Sequence, residues 1–368
     1  MKITRISIFQ VEVPIKPVTI SHGRLMTVFD ETLIRIETDE GIEGWGDSVP
    51  WGANFVEAFS KGVRAGLDEI APKLIGRDPR MIVGINDFMD FEMKGQLYIK
   101  TAIDVACWDI LSLSLDTPLY MLLGGMVTEK PEVVGSVPPD IGNELEASIK
   151  KLRNNGITHF SGKTSGDVAR DIEYLRWMGK NMHPGESLKY DGNAGWRVDE
   201  AIRVSRLSGA MFGDVDVYYE QPCATYEECR EVRKTTGIPL ILDETATDIQ
   251  TVIRAKEDGV LDGLNLKLSR VGGIHKMRLI RDLCVALRVP MEIQDSSYSE
   301  IACSVVAHMG HSTPKECIRS VIYPKGLKLE TVTNAPKIID GRMIAPEGPG
   351  IGARPIMKTL GEPIEVYG

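Results

Sequence analysis

The chain has 368 residues, 43% of them hydrophobic and 26% charged. That is more length than one ordinary domain needs and enough apolar material for a large core. A formal net charge of −9 argues against nucleic acid as the main partner, yet leaves room for an anionic small molecule beside a local cation or lysine.

No apolar stretch approaches the ~18 residues of a membrane span. The start, MKITRISIFQVEVPI, alternates like a strand and lacks a signal-peptide core. A cytoplasmic protein without membrane contact is expected. Cys107, Cys223, Cys229, Cys284, Cys303 and Cys317 are scattered with no CxxC pair, the pattern of buried thiols in a reducing compartment. Residues 1–50 read as β-rich, and LIRIETDEGIEGWGD gives two short strands around Asp39-Glu40-Gly41. From about Phe55 to Leu123 the pattern turns helical. AFSKGVRAGLDEIAPKLIG and YIKTAIDVACWDILSLSLDTPLYMLLGG carry apolar residues at three- and four-residue steps, and Gly124-Gly125 ends the second. Short apolar strands then alternate with amphipathic helices. PEVVGSV, THFSGK, LKYDGN, VYYEQP, PLILDE, LDGLNLK and PMEIQD each precede a helical pattern, and ECIRSVI follows as an eighth strand. This fits an α/β fold of the TIM type, a modified (β/α)7β-barrel, better than an open sheet. The expected organisation is an α+β capping domain over 1–125, completed by a tail over about 335–368, and a barrel over 126–334.

In such a barrel the reactive groups sit at the carboxyl ends of strands. The second strand ends in Lys163, the third in Asp191, the fourth in Glu220, the fifth in Asp243 with Glu244 next, the sixth in Lys267 and the seventh in Asp295. A charged residue therefore recurs once per barrel step at one rim. Taken alone, a strand-end Asp commonly caps the next helix and a lone Lys sits on the surface; the ordered set is what points to catalysis. Three carboxylates on adjacent strands repel and call for a compensating charge. A divalent cation with oxygen ligands supplies it, so Mg2+ is the expected cofactor, with Asp191, Glu220 and Asp243 as ligands. Lys163 and Lys267 flank them. A lysine close to a metal and partly desolvated is expected to have a lowered pKa and to act as a base.

The runs AIDVACWDILSLSLDTPLYMLLGG, YDGNAGW, YYEQPC, LILDE and NLKLSRVGGI resemble the enolase superfamily, muconate-lactonizing subgroup, over essentially the whole chain. The resemblance implies a capped barrel, metal ligands at Asp191, Glu220 and Asp243, and acid–base lysines at Lys163 and Lys267 that take a proton from the carbon next to a carboxylate. The subgroup's Lys-x-Lys on the second strand reads Ser161-Gly162-Lys163 here. The base position is kept, and Ser161 replaces the first lysine, which helps hold the substrate carboxylate. An alternative registration pairs Lys163 with Ser165 and leaves that face without a base. A non-lysine first position resembles the branch acting on hydroxyproline and proline betaines. The implied activity is dehydration of cis-3-hydroxy-L-proline with epimerisation at C2; betaine 2-epimerisation or another amino-acid epimerisation is the alternative. A homo-oligomer acting on a small-molecule carboxylate is expected.

Substrate contacts are expected from two cap loops, Ile20 to Arg24 and Val49 to Phe55. Trp51 and Phe55 would wall a small ring or simply pack between cap and barrel. Ser161 would face the substrate. Asp295 would accept a hydrogen bond from a secondary ammonium or cap the next helix. The region Cys317 to Val321 shows no strand-end aromatic to complete a cage for a quaternary ammonium. Asp295-Ser296-Ser297-Tyr298-Ser299 departs from the segment usual in this branch. A Schiff-base aldolase using Lys163 or Lys267 would not need three clustered acids. A non-catalytic barrel should have lost a ligand or a base, and none is missing. Dipeptide epimerisation asks for a charged cap loop, which is not identified, and muconate lactonisation fits poorly without the first lysine.

Overall fold

The computed structural model describes residues 1–20, 24–208, 215–296, 299–322 and 326–368. The alternating amino-terminal segments become β1 (Ile3–Ile20), β2 (Arg24–Thr38) and β3 (Glu43–Ser48), paired antiparallel in that order. Helices α1 (Ser60–Leu74) and α3 (Leu97–Ser114) pack on this sheet. Between them lies α2 (Ile82–Glu92), not separately resolved in the sequence pattern, and α4 (Leu119–Leu122) follows. The Gly-Trp-Gly run of β3 has a steric reason. A Cβ at Gly46 would lie 1.9 Å from the carbonyl oxygen of Ala102, and one at Gly44 would lie 2.3 Å from that of Ala106. Small residues on both partners let α3 approach the strand backbone closely.

The barrel begins with β4 (Val133–Ser136), α5 (Asn143–Asn154), β5 (His159–Lys163), α6 (Val168–Asn181) and β6 (Ser187–Asp191). It continues through α7 (Val198–Ser208), β7 (Asp216–Glu220), α8 (Tyr226–Thr236), β8 (Leu240–Leu242) and α9 (Ile249–Glu257). It ends with β9 (Gly263–Lys267), α10 (Leu268–Val271), α11 (Ile274–Ala286), β10 (Met291–Gln294), α12 (Glu300–His311) and β11 (Ile318–Ile322). Strands β4 to β11 close into one parallel barrel. The tail carries β12 (Val332–Thr333), β13 (Lys337–Ile339), β14 (Arg342–Ile344), β15 (Arg354–Pro355), α13 (Met357–Leu360) and β16 (Glu365–Tyr367). Strand β16 pairs with β1, setting Tyr367 opposite Ile6, so the chain end rejoins the amino-terminal sheet. All six cysteines are buried and unbridged. Among the described residues no helix is long and apolar enough to cross a membrane.

Candidate active site

Strand register brings the charged strand ends into one row. Lys163 lies level with Asp191 across β5 and β6, Asp191 with Glu220 across β6 and β7, and Lys267 with Gln294 across β9 and β10. Asp243 directly follows β8. Asp191, Glu220, Asp243 and Lys267 are buried, while the Lys163 side chain is 40% exposed. The next helices have other caps: Asp167 for α6, Thr225 for α8, Asp248 for α9 and Ser299 for α12. The strand-end acids are thereby left for the barrel mouth.

Lys163 Nζ pairs with Asp191 and donates to Asn193 Oδ1 at 2.9 Å. At the other end of the row, Lys267 Nζ donates to Asp243 Oδ2 at 2.6 Å, and Arg270 holds the second Asp243 oxygen. Between them, Lys189 Nζ stands 2.9 Å from Glu220 Oε2, and Asn265 donates to Glu220 Oε1. Ser165 points elsewhere: its N–H and hydroxyl both donate to Asp171, at 2.7 and 2.8 Å. Lys163 is thus the second-strand side chain that reaches the row.

Burial, with the charges of Asp191 and Asp243, pushes the Glu220 carboxyl up to about 8 against the pull of Lys189 and Lys267. Burial and the charges of Asp243 and Asp191 likewise push Glu244 up to about 7. Its Oε1 accepts from Asn193 Nδ2 at 3.1 Å, and its Oε2 is buried without a hydrogen-bond partner among the described residues. Burial also works against the charged form of Asp243, but Arg270 and Lys267 outweigh it and hold that carboxyl well below its usual range. Burial pulls Lys163 down, yet Asp191 and Glu220 pull harder and hold it above an ordinary lysine. This differs from the lowered pKa expected of a base. The carboxylates beside the amine outweigh its desolvation, and a cation on those carboxylates would cancel their pull.

The donor chemistry suits such a cation. Among the described residues no three His, Cys, Asp or Glu side chains converge on one point as they stand, each acid of the row being turned onto a lysine, arginine or asparagine. All three offer hard carboxylate oxygens from successive strands, all are buried, and Glu244 Oε2 beside them lacks a partner. A divalent ion held among them would relieve their mutual repulsion.

The other expected contacts are placed as follows. Trp51 is buried between Phe29 and Phe55, with ring centroids 5.6 and 5.5 Å away; Phe55 is half-buried. Ser161 is buried on β5, level with Lys189. Asp295 accepts from Ser269 N at 2.8 Å and Ser269 Oγ at 3.0 Å, so it fixes the turn after β9 rather than capping α12. The side chains of Ile20 and Arg24, the residues between them, and Ser297 and Tyr298 lie outside the described residues. Strand β11 runs on to Ile322, beyond Val321, and the next residue in the chain is an aromatic, Tyr323, itself outside the described residues. Sequence reasoning missed Lys189, Asn193, Gln221, Asn265, Arg270 and Glu292. Gln221, at φ +32, accepts from Asp243 N at 3.1 Å and Thr245 N at 3.3 Å and so shapes the end of β8. Strand alternation held the signal for two of them: Lys189 and Asn265 stand two residues before a strand-end charge and share its inward face.

Residues 3–124 match the mandelate racemase / muconate lactonizing enzyme N-terminal domain, and residues 144–358 match the enolase C-terminal domain-like family. A cis-3-hydroxy-L-proline dehydratase from Roseibium aggregatum is 38% identical over 370 residues, covering 100% of both chains. An N-succinyl-L-Arg/Lys racemase from Bacillus cereus is 27% identical over 331 residues, covering 87% of this chain and 86% of the relative. A mandelate racemase/muconate lactonizing enzyme from Roseovarius nubinhibens, solved in complex with magnesium, has a TM-score of 0.93 at 32% identity, covering 100% of both chains. With both family segments in order along a capped, closed barrel, the chain belongs to the enolase superfamily and is an enzyme of its mandelate racemase/muconate lactonizing group.

Proposed function

We propose that the chain takes the proton from the carbon next to the carboxylate of a small cyclic amino acid, and that its main reaction is dehydration of cis-3-hydroxy-L-proline with epimerisation at C2. The observation that carries this reading is the placement of Lys163 and Lys267 at opposite ends of the row Asp191, Glu220, Asp243, each with its amine on an end carboxylate. Asp191, Glu220 and Asp243 would hold Mg2+, which when bound supplies positive charge to the substrate carboxylate as it gains negative charge. One lysine takes the C2 proton. The other either returns a proton to the opposite face or gives one to the C3 hydroxyl. In the second case the C2–H and C3–O bonds break, a C2=C3 double bond forms and water leaves. In cis-3-hydroxy-L-proline those two bonds lie on opposite ring faces, which suits two opposed amines. Asn193 orients Lys163, and Arg270 shares Asp243 with Lys267. Trp51 and Phe55 would wall the ring, Ser161 would leave room where a lysine is usual, and Asp295 would accept from a secondary ammonium. The full-length likeness to a cis-3-hydroxy-L-proline dehydratase supports this substrate class.

A second reading, 2-epimerisation of proline or hydroxyproline betaine, is favoured by Phe55 in the cap and by Tyr323 directly after β11, two aromatics of the kind that cage a quaternary ammonium. Proton NMR of the purified protein with Mg2+ in D2O separates the two. The expected result is loss of the C2 proton and appearance of the dehydrated product from cis-3-hydroxy-L-proline, both abolished by EDTA. A kcat/KM tenfold or more higher for the betaine, about 1.4 kcal/mol in transition-state binding, would establish the second reading. Exchange on a dipeptide alone would remove cyclic amino acids altogether.

A further inference from the structure

Below the row of strand-end charges the barrel holds a second buried layer of polar groups that the proposed chemistry does not use. Lys189 precedes Asp191 by two residues on β6 and so faces the same way, one step deeper. Its side chain is 5% exposed, its Nζ is 2.9 Å from Glu220 Oε2, and it also binds Glu292 of β10, whose side chain is 3% exposed. Gln294 Nε2 donates to the same Glu292 carboxylate at 2.7 Å. Asn265 of β9 lies level with Glu292 and donates to the other oxygen of Glu220. Both oxygens of Glu220 are therefore engaged from β6 and β9, and Lys189 is itself fixed across the barrel.

A buried ion pair is a weak source of stability, because desolvating two charges offsets their attraction. A pair kept directly beside Glu220 calls for another use, and charge supplies one. A lone Lys189 would steer Glu220 but would also add net positive charge under a cation site. Glu292 cancels that charge and leaves the Lys189–Glu220 ion pair in place.

We infer that Lys189, Glu292 and Asn265 form a positioning layer that aims Glu220 at the divalent cation while keeping the floor of the site electrically neutral. This rests on the metal assignment proposed above. None of the three touches substrate or the reacting atoms; they act through Glu220.

The test is Mn2+ affinity by calorimetry, with thermal unfolding alongside, on the full-length wild type, Glu292→Gln, Lys189→Arg and the double variant Lys189→Met/Glu292→Gln. Glu292→Gln leaves the Lys189 charge uncompensated and is expected to weaken Mn2+ binding by at least about tenfold. The double variant leaves neither charge unpaired. It is expected to unfold at or above the wild-type temperature and still bind Mn2+ at least about tenfold more weakly, because Glu220 has lost its anchor. Lys189→Arg keeps the contact and should retain most of the affinity. A double variant that binds Mn2+ like the wild type would show an ordinary structural pair and overturn the positioning layer, leaving the proposed function standing. If the double variant does not fold, Glu292→Gln decides alone, and unchanged affinity there overturns the inference. A wild type that binds no Mn2+ overturns both.

Discussion

In the proposed reaction Lys163 and Lys267 share one kind of chemistry but stand in different surroundings. Lys163 is half-open to the barrel mouth and shares Asp191 and Asn193, whereas Lys267 is buried and shares Asp243 with Arg270. If each serves one face of the substrate carbon, Lys163→Ala should abolish deuterium exchange on one face at C2 and spare the other, with turnover falling by about 10²–10⁴-fold. Exchange followed separately on the two C2 epimers checks this. Exchange and turnover both intact in Lys163→Ala would mean that the second-strand base is another residue. The strand-end charges were legible because a barrel places its chemistry there and because they recur once per βα step. Lys189, Asn265 and Glu292 were harder to see, because a lone polar residue inside a strand looks like noise in an apolar run unless, as for Lys189 and Asn265, it is placed on the inward face two residues before a strand-end charge. Arg270 lies on a four-residue helix after β9, too short to leave a periodic signal.

Strand β3 and helix α3 show how closely two elements of the cap are fitted. The strand runs Glu43-Gly44-Trp45-Gly46-Asp47-Ser48, and its two glycines meet the helix backbone at Ala102 and Ala106. Gly46→Ala puts a methyl against a backbone carbonyl that cannot rotate away, so the helix must shift. A loss of about 1–3 kcal/mol or more is expected. Gly84→Ala, exposed on α2 with nothing nearer than 3.9 Å to its new methyl, should instead stabilise by about 0.5–1 kcal/mol. Denaturant unfolding of both variants checks the contrast, and equal effects would deny the close fit. The glycines were visible in the sequence, but what they approach was not, since α3 lies some fifty residues on. Local periodicity gave away barrel helices that bury a single stripe, as α5 does through Leu145, Ile149 and Leu152, whereas α12 is buried nearly all round. Periodicity did not separate α2, which has no side-chain N-cap to mark its start.

One seam between cap and barrel runs between the cap sheet and the helix that follows the seventh barrel strand, and it carries buried acid. Glu31 of β2 and Asp47 of β3 are both buried, and Glu31 Oε1 and Asp47 Oδ2 have no hydrogen-bond partner among the described residues. Around them stand Asp295, Ser299, Glu300 and Cys303 at the start of α12. Burial pushes the Asp47 carboxyl up to about 7, opposed by a hydrogen bond from Ser299 and helped by the charge of Asp295. Burial, Asp47 and Glu300 push Glu31 upward as well. Because these values lie above those of the unfolded chain, the folded protein keeps protons that the unfolded chain releases. The contribution to stability is therefore full at low pH and is lost as pH rises from about 4 to about 7, levelling above that. Asp47→Asn keeps the shape of the protonated acid and cannot ionise. Its stability relative to the wild type should rise across the same window, by up to about 4 kcal/mol above pH 7. Glu220 and Glu244 are raised without help from Asp47 and cancel in the difference, whereas Glu31 loses the push of the Asp47 charge in the variant, which adds to the divergence in the same direction. Unfolding midpoints measured from pH 4 to 8 should therefore diverge between the two; parallel curves would mean that Asp47 does not hold its proton at the seam.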